Sequence, residues 1–71
     1  MNQKEYMYSN ALSLEKDGKF LHSLQLYEQL LDDKEMGKLA HIRVAAVYDK
    51  MGKTKSSVKI LSEFLKEINN N

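Results

Sequence analysis

Two histidines, an adjacent pair of aspartates and a run of lysines are the side chains of this sequence with the greatest chemical reach. His22 and His41 are far apart in the chain and fall on different helices, whereas two histidines that share a metal on one helix face are four positions apart. His22, beside Ser23, reads as solvent-facing. Asp32-Asp33 places two carboxylates at a helix end, without the glycine and regularly spaced acids that a calcium loop requires. There is no glycine-rich phosphate loop and no pairing of nucleophile with base. The expectation is a protein that is not an enzyme and holds no cofactor or metal. Arg43 and Lys50 are two further cations, read as solvated.

Tyr6, Tyr8, Tyr27 and Tyr48 could stack on bases, and Lys50, Lys53, Lys55 and Lys59 form a local positive cluster. The charge balance argues against that use: 11 basic and 10 acidic side chains leave a formal charge of +1. Such a balance marks neither a nucleic-acid binder nor a binder of anionic membranes. There is no cysteine, so disulfides and thiolate zinc sites are excluded. No apolar run is long enough to span a bilayer, and the opening residues lack the apolar segment of a signal sequence. The expected location is the cytoplasm, with no membrane partner.

The chain has 71 residues, no proline and three glycines, a composition that favours helix throughout a single small domain, 1–71. Met7, Ala11 and Leu14 share one face of a first helix, about 2–16, which Asn2 and Glu5 start in the manner of a capping box. Gly18 ends it. Phe20, Leu24, Tyr27 and Leu31 form the stripe of a second helix, about 19–32. His41, Val44, Ala45 and Tyr48 share a face of a third, about 38–51, closed by Gly52. Thr54 is the expected N-cap of a fourth, about 55–68, followed by a frayed Asn69-Asn70-Asn71.

Gly18-Lys19 recurs as Gly52-Lys53, and the same step along the chain carries Ala11 onto Ala45, Ser23 onto Ser57 and Leu31 onto Leu65. A helix–turn–helix unit of this 34-residue period resembles the tetratricopeptide repeat. Its signature places hold Met7, Asn10, Ala11, Leu14, Ser23, Tyr27 and Glu35 in repeat 4–37, and His41, Val44, Ala45, Tyr48, Ser57, Leu61 and Asn69 in repeat 38–71. The repeats are degenerate: the family prolines are missing, Asn10 replaces an apolar residue, Thr54 an aromatic, and Leu30 and Phe64 replace small residues. The resemblance implies an all-α fold of four antiparallel helices, two hairpins in a short right-handed solenoid, and a non-enzymatic scaffold for binding proteins. It also places His41 at a packing position. A compact four-helix bundle is the structural alternative.

The family binds peptides or partner helices in the concave groove lined by the first helix of each repeat. Here those helices carry a second stripe: Glu5, Tyr8, Leu12 and Glu15 on the first, and Leu39, Ile42, Ala46 and Asp49 on the third. Its centre is apolar and its rim charged, the pattern of an interaction surface. The partner-binding residues expected are Tyr8, Leu12, Leu39, Ile42, Arg43, Ala46 and Asp49, and the partner is another protein or a peptide, with no nucleic acid. The plainer reading makes Leu12 and Ile42 part of a wide core. Family members that clamp carboxylate tails use lysine, asparagine and arginine side chains in the groove, and Tyr8 and Leu12 stand here in the places of the first lysine and asparagine, so an apolar ligand is favoured.

The fourth helix carries Ile60 and Phe64 besides Val58, Leu61, Leu65 and Ile68, which are expected to face inward. That is more apolar surface than one neighbour covers. A homodimer is therefore expected, using Ile60, Phe64 and Ile68, the groove, or both. Other readings are a small helical regulatory subunit, an enzyme fragment with a cation at Asp32-Asp33, or a piece of a longer repeat protein: Met1 and Asn2 favour a natural start, whereas the missing final capping helix favours a cut or a partner.

Overall fold

The computed structural model describes residues 2–69; Met1, Asn70 and Asn71, and with them the expected start and most of the frayed end, lie outside the described residues. Four helices follow one another: α1 (Gln3–Lys16), α2 (Phe20–Glu28), α3 (Gly37–Lys50) and α4 (Thr54–Asn69). The all-helical expectation holds, with no strand among the described residues. None of these helices is long and apolar enough to cross a membrane.

Local chemistry sets the boundaries. The Asn2 side chain accepts a hydrogen bond from the Glu5 backbone N–H at 2.8 Å, satisfying one of the free donors at the start of α1. At the other end Gly18 adopts φ 78°, a left-handed conformation that costs glycine nothing and lets the chain reverse. The Gly18 N–H donates to Glu15 O at 3.1 Å and Lys19 N–H to Leu14 O at 2.8 Å. Gly52 repeats this at φ 76°, with Gly52 N–H to Asp49 O at 3.0 Å and Lys53 N–H to Tyr48 O at 2.8 Å. Shifted by one repeat, the bounds of α1 coincide with those of α3, and the start of α2 with that of α4. The internal period is thus a property of the backbone as well as of the side chains.

Two boundaries differ from expectation. Thr54 is the first residue of α4 itself and Lys53 stands before it, as Lys19 stands before α2, where no side chain caps the helix. Helix α2 ends at Glu28 rather than near Asp32. Beyond it the backbone tightens: Leu30 N–H donates to Tyr27 O at 2.9 Å and Asp33 N–H to Leu30 O at 3.1 Å, both three-residue turns. The tightening serves burial, because Leu30 is 2% exposed. It also brings the Leu31 carbonyl against the first residue of α3, where a β-carbon on Gly37 would lie 2.7 Å from that oxygen. Only glycine fits there. Asp33 fixes the same corner by accepting the N–H groups of Glu35 and Met36 at 2.9 and 2.7 Å and by pairing with Lys4.

The helices pack in chain order, α1 on α2, α2 on α3 and α3 on α4. Ala11, Leu24, Tyr27, Val44 and Val47 form the buried cluster, with Tyr8, Leu12, Phe20, Leu31, Tyr48 and Ile60 packed around it. Ala11 is 0% exposed and Ala45 is 4% exposed; a methyl group at each lets neighbouring helices close up. Replacing either by leucine should destabilise the fold by about 1–3 kcal/mol through overpacking, and unchanged denaturant midpoints for both variants contradict the proposed repeat register. Gly37→Ala should cost about 1–3 kcal/mol in the same assay, because the Leu31 backbone must move.

Candidate functional site

The end of α1 carries the most polar environment in the core. Glu15 is 3% exposed, and its two carboxylate oxygens are fully engaged by side chains of two other helices. The Tyr27 hydroxyl of α2 donates to Oε1 at 2.8 Å. From α3, Arg43 Nε donates to the same oxygen at 3.1 Å, Arg43 Nη2 pairs with Oε2, and Lys50 Nζ donates to Oε2 at 2.6 Å. Arg43 and Lys50 are two helical turns apart and so share a face of α3. Burial by itself pushes the Glu15 carboxyl up, but the bonds from Arg43, Lys50 and Tyr27 outweigh it and hold the group down at about 2. Burial, then the bond to Glu15, pushes the Tyr27 hydroxyl well above its ordinary value.

This corrects two expectations. Glu15 is not a charged rim residue, and Arg43 is not a free cation of the groove; each is held by the other. The signal was present in the spacing, since an acid one turn after the small Ala11 needs a partner if the helices close there, and Arg43 and Lys50 are cations on one face of α3. Asp49, the counterpart of Glu15 in the second repeat, remains exposed.

The apolar stripe residues divide. Tyr8 and Leu12 are half-buried against the core, and the Tyr8 ring meets Tyr27 with centroids 5.8 Å apart, tilted at 59°. Leu39 and Ile42 on α3 are 46% and 48% exposed, so Ile42 is not a core residue, while Ala46 is half-buried. Glu15 belongs to the α1 stripe, and its bonds to Arg43 and Lys50 tie the end of that stripe to α3.

Of the histidines, His22 is exposed as expected. His41 is buried: its Nδ1–H donates to Gly37 O at 2.8 Å, and its ring stacks on Phe64 at 4.9 Å. No group of three His, Cys, Asp or Glu side chains is placed to hold a metal among the described residues, and Asp33 is committed to its corner.

Helix α4 reverses the expected facing. Ile60 and Phe64, assigned to self-association, turn inward, Ile60 against the core and Phe64 onto His41. Val58, Leu61, Leu65 and Ile68, expected inside, are 57%, 37%, 56% and 44% exposed. Neither helical periodicity nor the repeat register tells which of two apolar stripes meets the neighbour, since Ile60 and Phe64 correspond to Leu26 and Leu30, while Val58, Leu61 and Leu65 correspond to the equally packed Leu24, Tyr27 and Leu31. Of the three residues assigned, only Ile68 is exposed.

Compared with known proteins, the chain matches no family model, no curated protein and no solved structure.

The Glu15 cluster generates a pH dependence of definite sign. A carboxyl whose folded pKa lies below its unfolded value stabilises the fold above the unfolded value, about 4.5, and that stability is lost as pH falls toward about 2. Screening by solvent at Arg43 and Lys50 reduces the contribution to roughly 2 kcal/mol. Urea unfolding of the protein and of Glu15→Gln at pH 7 and pH 3 should show the variant less stable by about 1–3 kcal/mol at pH 7 and the difference shrinking at pH 3. Equal differences at both pH values contradict the assignment.

Proposed function

We propose that this chain is a non-enzymatic protein-interaction module: two tetratricopeptide-like hairpins of antiparallel helices, stacked as a short right-handed solenoid, that hold a peptide or partner helix against the α1–α3 face. The observation that carries the reading is the pair Leu39 and Ile42, one step apart on α3 and about half exposed. Ala46 continues their line, and Tyr8 and Leu12 supply further apolar surface on α1. Neighbouring aliphatic side chains left in water beside a charged cluster favour an apolar ligand with polar groups at its edge. The repeated capping geometry at Gly18 and Gly52 supports the two-hairpin arrangement. The packing of helices in chain order favours a stack over a bundle closed by α4 against α1.

The test is a selection of displayed peptides of unbiased sequence against the full chain, repeated with Ile42→Glu. Enrichment of apolar sequences that fail to bind the variant supports the reading; no enrichment, or equal binding by the variant, contradicts it. Stability separates the surface role from a core one. Ile42→Ala should cost less than about 1 kcal/mol in denaturant unfolding, against the roughly 2–4 kcal/mol typical of a buried isoleucine.

A further inference from the structure

The exposed stripe of α4 has a covered counterpart inside the same chain. One repeat earlier, the places of Val58, Leu61 and Leu65 are held by Leu24, Tyr27 and Leu31. Leu24 and Tyr27 are 6% and 0% exposed, and they cluster with Val44 and Val47 of α3. The chain therefore shows what lies over this kind of face: a helix presenting two small branched side chains three positions apart. At the other end of the stack the corresponding places, Asn10 and Ser13 on α1, are polar and exposed. A head-to-tail contact between copies would set that polar face against the α4 stripe, which disfavours it.

Charge narrows the occupant further. By helical geometry, Lys55, Lys59 and Lys66 lie along the flank of the stripe away from α3, while Glu63 and Glu67 lie toward the far side of the helix. All three lysines are exposed, and none forms an ion pair among the described residues. An antiparallel two-fold pairing of α4 with a second copy sets one lysine flank against the other, which disfavours it. We infer that the stripe of Val58, Leu61, Leu65 and Ile68 is a docking site for an amphipathic helix of a partner protein, with small aliphatic residues on its contact face and acidic residues along the edge that meets the lysines. This surface is distinct from the α1–α3 face and rests on the reading of the chain as an interaction module.

The probe is a labelled helical peptide that reproduces the spacing of Ala40, Val44 and Val47 and carries glutamates along one edge, with a matched peptide bearing lysines there. Anisotropy titrations against the full chain should show binding of the acidic peptide and at least about tenfold weaker binding of the basic one. Leu65→Glu should abolish binding, Ile42→Glu should leave it unchanged, and Lys59→Glu with Lys66→Glu should invert the preference. Should Leu65→Glu fail to fold by circular dichroism, the lysine reversal, which touches only exposed side chains, carries the test. Absence of binding, equal binding of both peptides, or indifference to the lysine reversal overturns the inference. Loss through Ile42→Glu but not Leu65→Glu moves the helix to the α1–α3 face, which overturns the α4 site and keeps the interaction module. Sedimentation equilibrium giving twice the chain mass, reverting to monomer in Leu65→Glu, makes a second copy the occupant and also overturns it.

Discussion

A buried carboxylate cannot be left alone, and the arrangement of the first three helices follows from how Glu15 is satisfied. Its oxygens take hydrogen bonds from Tyr27 on α2 and from Arg43 and Lys50 on α3, so one side chain of α1 fixes the positions of two other helices. An apolar core of this size tolerates sliding of one helix past another at modest cost; an unpaired carboxylate buried by such a slide costs several kcal/mol. The cluster thus contributes less to net stability than to the choice of one register. It also explains why Tyr27 is fully buried yet polar: its ring fills the core and its hydroxyl reaches the acid.

Around that fixed point the two helix pairs, α1 with α2 and α3 with α4, are built alike but finished differently. Gly18 and Gly52 make the same turn with φ values of 78° and 76°, and Ser23 and Ser57 bring the same small side chain into the helix contacts. The outer faces then diverge, polar on α1 at Asn10 and Ser13 and apolar on α4. A fold finished in polar residues on its first helix and left aliphatic on its last has a direction, and the aliphatic side is where further structure can be added.

Much of this was legible in the residues alone. The helices, the two glycine turns, the repeat step and the packing positions Ala11, Leu24, Ala45 and His41 follow from periodicity and backbone chemistry, which act over a few residues. The early end of α2 was not legible, because Leu30 and Leu31 continue the helical pattern and only the close passage of the Leu31 carbonyl past Gly37 shows that the chain has already turned. Glu15 was misplaced for a related reason: its partners Arg43 and Lys50 are distant in sequence, on a helix of the other repeat, and exposure is the default for a lone acid. The facing of α4 was not legible where two apolar stripes compete, because the repeat step matches both of them to packed residues of the first half, Leu26 and Leu30 for one and Leu24, Tyr27 and Leu31 for the other.

Native-state hydrogen exchange on the free protein at micromolar concentration tests most directly the claim that the fold is fixed at Glu15 and open at α4. The account predicts that amides of α1 to α3 near Glu15, Tyr27 and Arg43 exchange slowest, at rates set by global unfolding, while those of Leu61 to Ile68 exchange faster through local opening of a helix covered on one side only. Protection of α4 equal to that of α3 would contradict it, since a helix so protected already has its second face covered.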